Sequence, residues 1–346
     1  MIRSVGCILL ILLGAAQFGC ATRSNVMQAA SRTPLQRYQF TQIHMGVAVR
    51  IVLYAENEGQ AKSVARAGFA AFAQIDEIAS DWRKDSELMQ LCARAGTGPV
   101  PVSKHLLELL LVSRHVSEES DGAFDCTVGP VSHLWRDAIN KGSTRVDDQA
   151  LANAQQLVGM DLLTINESTC TVTLAKPGMM LDLGGVAKGY AADMALHEMK
   201  RAGISQALVD ASGDIAIGGA PPDAAGWRVA VTTGVNTAPD DEFILTHCAI
   251  ATSGSVYQHM RVDGIEYSHI VSPNSGHATT GSFGACVIAT TCAAADAWAT
   301  AACVIANENA SQLQSCAGDA TGVRFLQYDR INADGGIYQI RVGSAP

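Results

Sequence analysis

The chain has 346 residues, 48% of them hydrophobic and only 16% charged, which is enough apolar material for a large packed core and excludes intrinsic disorder. Acidic residues outnumber basic ones by 33 to 24, so no broad positive surface exists to neutralise a nucleic-acid backbone, and DNA and RNA are poor partners. A small anion is a different matter, because a phosphate site needs only a few oriented donors and a cation.

In chain order, Arg3 precedes the apolar run Cys7–Ala16, too short to span a bilayer and well sized for the apolar part of a signal peptide. The run ends Gln17-Phe18-Gly19-Cys20, and a small residue before cysteine at that point resembles a bacterial lipoprotein cleavage site. Residues 1–20 are therefore expected to be a signal peptide and 21–37 a polar tether, leaving Cys20 as the lipid-bearing first residue of a periplasmic, membrane-anchored protein. Ordinary cleavage just downstream or an uncleaved anchor are the alternatives. Eight cysteines follow Cys20, none with CxxC spacing, which disfavours zinc ribbons and thioredoxin-like redox sites and leaves most of them as small buried hydrophobes.

Val47–Tyr54 is rich in β-branched residues and reads as a strand. From Gln60 to Ala79 the residues Val64, Ala67, Ala71, Ile75 and Ile78 recur at helical spacing, and a second helix is expected over Lys104–Glu119 behind Ser103 as N-cap. The chain then reads as loop-rich as far as Thr144, with a short helix over 147–158 and strands at 161–165, 170–174 and 207–210. A helix from Val186 to Arg201 stops at Gly203. Strands follow at 227–233, 243–251, 285–290, 323–328 and 337–341, around an Ala-rich buried helix over 293–306. Strands and helices mix without regular βα alternation, so the fold class is α+β, and residues 38–346 are expected to form the folded body.

Several segments carry chemistry. Leu181–Asp193 places Gly184 and Gly185 at an expected strand-to-helix junction, where the backbone can approach a ligand, free N–H groups face an anion and Lys188 adds a charge. In Ser120–Pro130, Phe124 offers an aromatic surface and Asp125 a carboxylate for ring or ribose groups. Asp296 and Thr300 are four apart on the Ala-rich helix, so their oxygens share one face, and a carboxylate plus a hydroxyl is a plausible partial shell for magnesium. An Asp in such a helix is costly unless paired or metal-bound. His269 sits in a strand that stops at Ser272-Pro273, a credible position at a cleft edge. Asp210–Gly219 reads as a tight glycine turn between strands, with a structural role.

Taken together and in order, Met45-Gly46, Ser80–Leu88, Gly122–Pro130 with Trp135, Asp182–Asp193, Ser212–Ile215, Ala251–Gly254, His269–Pro273 and Ala295–Thr300 resemble the ApbE family of FAD:protein FMN transferases, periplasmic proteins often tethered as lipoproteins. The resemblance implies a two-part, T-fold-related α+β body with FAD in the cleft between the parts. By that analogy Met45, Trp82, Ala123, Phe124, Asp125, Asp182, Lys188 and Ile270 line the FAD site. The carbonyls of Gly185 and Ala299, with Asp296 and Thr300, would hold Mg²⁺ against the pyrophosphate. The implied reaction moves the FMN half of FAD onto a serine or threonine hydroxyl of an acceptor protein, a subunit of an envelope electron-transport complex, and releases AMP. His269 is the candidate for assisting deprotonation of that hydroxyl. An FAD pyrophosphatase and a non-catalytic FAD-binding lipoprotein are the alternatives. The chain departs from the family pattern at Trp82, where a tyrosine-like ring is usual, at Cys126 for a proline, and at Ser272 and Ser275 for an aspartate and a threonine.

Overall fold

A computed structural model of the chain describes residues 34–141, 143, 146–233, 241–255, 259–262, 265–313, 323–331 and 337–343. The signal peptide, most of the tether and Cys316 lie outside the described residues. The chain from Leu35 onward forms one contact unit.

It opens with a hairpin of β1 (Gln36–His44) and β2 (Val47–Ala55). Its two-residue turn holds Met45 at φ 49° and Gly46 at φ 75°, the type I′ arrangement that matches strand twist. Three helices follow: α1 (Glu58–Ala79), α2 (Glu87–Cys92) and, after the short strand β3 (Val100–Pro101), α3 (Lys104–Glu119). Ser103 caps α3, its hydroxyl accepting from the Leu106 amide at 3.2 Å. The segment read as loop up to Thr144 instead contains a 3₁₀ turn, Cys126–Val128, and the helix α4 (Gly129–Asn140). Pro130 is tolerated there because it sits in the first turn, where its missing N–H has no partner to lose.

Next come α5 (Asp148–Gln155), the pair β4 (Leu163–Asn166) and β5 (Thr171–Leu174), then α6 (Ala187–Arg201), β6 (Ala207–Ala211) and β7 (Ile215–Ile217). The strand expected over 243–251 is two strands. After β8 (Trp227–Val231), β9 (Asp241–Leu245) turns at His247, φ 50°, into β10 (Cys248–Gly254) of another sheet. The chain ends with β11 (His259–Val262), β12 (Ile265–Val271), β13 (Ala278–Thr280), β14 (Phe283–Ala289), α7 (Cys292–Asn309), β15 (Val323–Ile331) and β16 (Ile337–Gly343).

The main sheet runs β1-β2-β6-β7-β10-β14-β15-β16 with antiparallel neighbours. Alternation divides its side chains. Val49, Ile51 and Leu53 face the core built with Phe72, Met199 and Trp298 of α1, α6 and α7, whereas Val52, Leu208, Ile250 and Ile288 face the β8–β9 ribbon through Trp227, Val229 and Phe243. Helices on one face and a two-stranded ribbon on the other give the expected α+β class. Among the described residues no helix is long and apolar enough to cross a membrane.

The seam between α6 and α7 is unusually tight. A Cβ at Gly189 would lie 2.3 Å from the carbonyl oxygen of Cys292, so only glycine allows this approach. One turn on, the half-buried Asp193 carboxylate accepts the amides of Cys292 at 2.9 Å and Ala293 at 3.0 Å and so caps α7 from the neighbouring helix. Burial pushes this carboxyl up to about 6, against the pull of those two amides. We expect Gly189→Ala to lower stability by about 1–3 kcal/mol through overpacking, measured by urea denaturation beside the unaltered protein. Unchanged stability would show that the seam can open without cost.

Candidate active site

The tight seam sets the position of two members of a charged cluster, Lys188 and Asp296. Lys188 lies in the first turn of α6, Asp296 in α7 one turn beyond the Asp193 cap, and Asp214 just before β7. The Lys188 ammonium is 2.8 Å from Asp214 Oδ2 and 3.3 Å from Asp296 Oδ2, and both carboxylates are nearly inaccessible to solvent. Burial works against the Lys188 ammonium, but the two carboxylates outweigh it and raise its pKa. Burial, joined by the neighbouring Asp296 charge, pushes Asp214 up to about 7.

The approach to α6 differs from the expected strand-to-helix junction. Residues 179–183 are irregular, and the helix start is already engaged: the Val186 and Ala187 amides bond to the Leu183 carbonyl, and the Gly189 amide donates to Asp296 Oδ2 at 3.1 Å. These donors orient Asp296 and close the turn instead of facing an anion, so positive charge at this end of the cavity comes from Lys188 itself. The Asp210–Gly219 segment, read as structural, supplies Asp214 to the cluster. Its acid was hidden in the sequence because nothing local marks a turn carboxylate as facing a helix from elsewhere.

The cluster lies against a cavity of about 1020 Å³, at the upper end of the usual range for ligand sites. Met45, Trp82, Ala123, Phe124, Asp125, Asp182, Gly185, Lys188, His269, Ile270, Asp296 and Thr300 all line it, so the separate sequence segments converge on one place. Ala299 is fully buried and does not line it. Met45 holds its left-handed backbone at the tip of the first hairpin, where a side chain is costly unless the surroundings fix it. Asp125 caps the 3₁₀ turn, accepting from the Thr127 amide at 2.7 Å, and burial holds its carboxyl above the ordinary range. Asp182 accepts from the Gly184 amide at 2.9 Å and from Ser132 at 2.7 Å.

Arg136, which sequence reasoning missed, joins much of this wall. Its guanidinium donates to Asp81 at 2.7 Å, lies 3.4 Å from Asp182 and sits 4.2 Å from the centre of the Trp82 ring, while Trp82 stays 71% exposed. Burial would raise the Asp81 carboxyl, but the nearby His133 ring, at 3.5 Å, and the Arg136 guanidinium outweigh it and hold it low.

The donor set suits a hard divalent cation. Asp214 Oδ1 is buried without a hydrogen-bond partner, and when both acids are ionised two carboxylates against one ammonium leave a net negative charge. Thr300 Oγ1 and Ser253 Oγ stand 3.3 Å apart, and a Cβ at Gly185 would lie 2.9 Å from Thr300 Oγ1, so glycine brings backbone close to the hydroxyl. Among the described residues no three His, Cys, Asp or Glu side chains gather as a metal-binding group. A cation here would rest on Asp296, Thr300, backbone carbonyls and ligand phosphates, a set that magnesium accepts.

A sequence model of the ApbE family matches residues 45–322. The chain belongs to the ApbE family. A Klebsiella pneumoniae relative named FAD:protein FMN transferase is 32% identical over 275 residues, 78% of this chain and 79% of its own length. An Escherichia coli K12 protein of the same name is 31% identical over 244 residues, 69% of this chain and 70% of its own. The crystal structure of the ApbE protein of Thermotoga maritima has a TM-score of 0.77 at 26% identity, covering 88% of this chain and 97% of the other. At the departure from the ApbE pattern, the buried Ser272 hydroxyl donates to the Glu308 carboxylate and accepts the Ser275 amide at 3.1 Å. A carboxylate therefore still reaches this turn, delivered from α7.

The cluster makes a pH-dependent prediction. In Lys188→Met two buried carboxylates lose their common cation, a loss of about 3–5 kcal/mol for a broken buried pair. A carboxyl whose folded pKa exceeds its unfolded value near 4 stabilises the fold while protonated and loses that contribution as pH rises. Urea denaturation is expected to show a larger deficit for Lys188→Met at pH 8 than at pH 5.5; equal deficits would contradict the coupling.

Proposed function

We propose that this chain catalyses magnesium-dependent transfer of the FMN moiety of FAD to a serine or threonine hydroxyl of an acceptor protein, with release of AMP. ApbE-family membership makes it an enzyme, a FAD:protein FMN transferase that uses FAD as flavin donor and a protein as acceptor. The observation that carries the finer reading is the Lys188–Asp214–Asp296 cluster beside Gly185 and Thr300, at the wall of a cavity large enough for a dinucleotide.

The division of labour follows from the lining. Trp82, Phe124, Met45 and Ile270 offer apolar and aromatic surface for a planar ring system, with Arg136 backing Trp82 from one face. Lys188 brings positive charge toward the diphosphate. A magnesium ion bound by Asp296, Thr300 and the carbonyl of Gly185 would neutralise charge developing on the phosphate oxygens. The acceptor hydroxyl oxygen attacks the phosphorus of the FMN half, the phosphorus–oxygen bond to the AMP half breaks, and the hydroxyl proton leaves to His269, an exposed residue of β12 on the cavity lining. Little covalent work is asked of the protein; positioning and charge carry phosphoryl transfer. The apolar run ending at Cys20 supports a periplasmic enzyme held at the inner membrane by a lipid anchor.

The test is incubation of the purified protein with FAD, Mg²⁺ and an acceptor domain. A fluorescent acceptor band in a denaturing gel is expected; free FMN alone would mean hydrolysis, and unchanged FAD would mean storage. Asp296→Ala should reduce transfer by about 10²–10³ or more, and full activity in that variant would remove the metal assignment. His269→Asn should slow transfer by roughly 10²–10⁴ while FAD still binds, as read by quenching of flavin fluorescence. An unchanged rate would remove His269 from the proton path.

A further inference from the structure

We infer that Asp214 is a positioning residue: it draws Lys188 toward itself and so keeps the Asp296 carboxylate available to a divalent cation. The inference rests on the magnesium reading above and adds to it a residue outside the expected ligand set.

Lys188 Nζ lies 2.8 Å from Asp214 Oδ2 but 3.3 and 3.4 Å from the two Asp296 oxygens. The ammonium is therefore mainly the partner of Asp214, and it touches Asp296 at the outer limit of hydrogen bonding. Asp214 is also held firmly. The Ala211 amide donates to its carbonyl at 2.9 Å, and the turn is closed by Ser212 at φ 60° and Gly213 at φ 104°, whose amide donates to Asp210 Oδ1 at 3.0 Å. Its Oδ1 has no hydrogen-bond partner, and the residue is only 2% exposed.

A lone lysine–aspartate pair beside the diphosphate would be neutral, and a cation arriving at Asp296 would have to displace the ammonium. A second carboxylate, closer to the ammonium than Asp296 is, removes that competition. The pocket keeps both a fixed positive charge for phosphate and a carboxylate charge for metal, two demands that a single ion pair cannot meet.

The experiment is Mn²⁺ binding followed by electron paramagnetic resonance, with saturating ADP supplying a diphosphate that cannot donate flavin. Asp214→Asn is expected to weaken Mn²⁺ binding by about 10- to 100-fold, the usual effect of losing a residue that orients a metal ligand. The double variant Asp214→Asn, Lys188→Met, which frees Asp296 of its cation, is expected to bind Mn²⁺ again within a fewfold of the unaltered protein. That recovery is not expected if Asp214 is merely structural or is itself a ligand. Unchanged affinity in Asp214→Asn, or no recovery in the double variant, overturns the inference. If Asp214→Asn does not fold, Lys188→Met alone carries the test: Mn²⁺ should bind more tightly, and unchanged or weaker binding overturns it. Asp296→Ala separates the two levels. Mn²⁺ bound normally by that variant ends the magnesium reading and this inference with it, whereas loss there with normal binding in Asp214→Asn ends only the role given to Asp214.

Discussion

The close contact of two helices at Gly189 governs where Lys188 and Asp296 stand in the pocket. Because the Gly189 backbone packs directly on the carbonyl of Cys292, α6 and α7 meet at backbone distance, and the Asp193 carboxylate fastens the start of α7 in that position. One turn further along α7, Asp296 is then within reach of the Gly189 amide and the Lys188 ammonium. A methyl group at this crossing would part the helices by more than the tolerance of a hydrogen bond. Core packing and chemistry are here one constraint, since the backbone contact that packs α6 on α7 also sets the acid.

Much of the fold was legible where local signals are strong. The Ser103 cap announced α3, periodic apolar residues announced α1, and a β-branched run announced β2. The failures have physical causes. Edge strand β1 is mostly exposed and carries polar residues, so it resembles a tether. Helix α4 begins Gly129-Pro130 and follows a glycine-bearing turn, a composition that reads as loop until the first-turn tolerance for proline is considered. The turn at His247 has no glycine to mark it, so two strands of different sheets ran together.

The site divides in a similar way. Residues that announce themselves by type and spacing, such as Asp296 with Thr300 or the glycines before Lys188, were visible. Residues that act through another side chain were not: Arg136 gains meaning only from the ring and the two carboxylates it touches, and Asp214 only from the lysine beside it. Such groups carry no local pattern because their partners come from distant parts of the chain. The placement of Lys188 between two acids likewise required three elements to converge before any electrostatic reading could be made.

The bond between Ser272 and Glu308 carries a consequence for exchanging parts among relatives. The turn after β12 and the last turn of α7 are distant in sequence but act as one unit, with the acid donated by the helix and the hydroxyl by the turn. Grafting a turn that brings its own aspartate would set two like charges side by side unless Glu308 were neutralised in the same step. Conversely, a transplanted α7 lacking that glutamate would leave the Ser272 hydroxyl without its acceptor. Chimaeras built across this region must therefore carry both pieces from one parent.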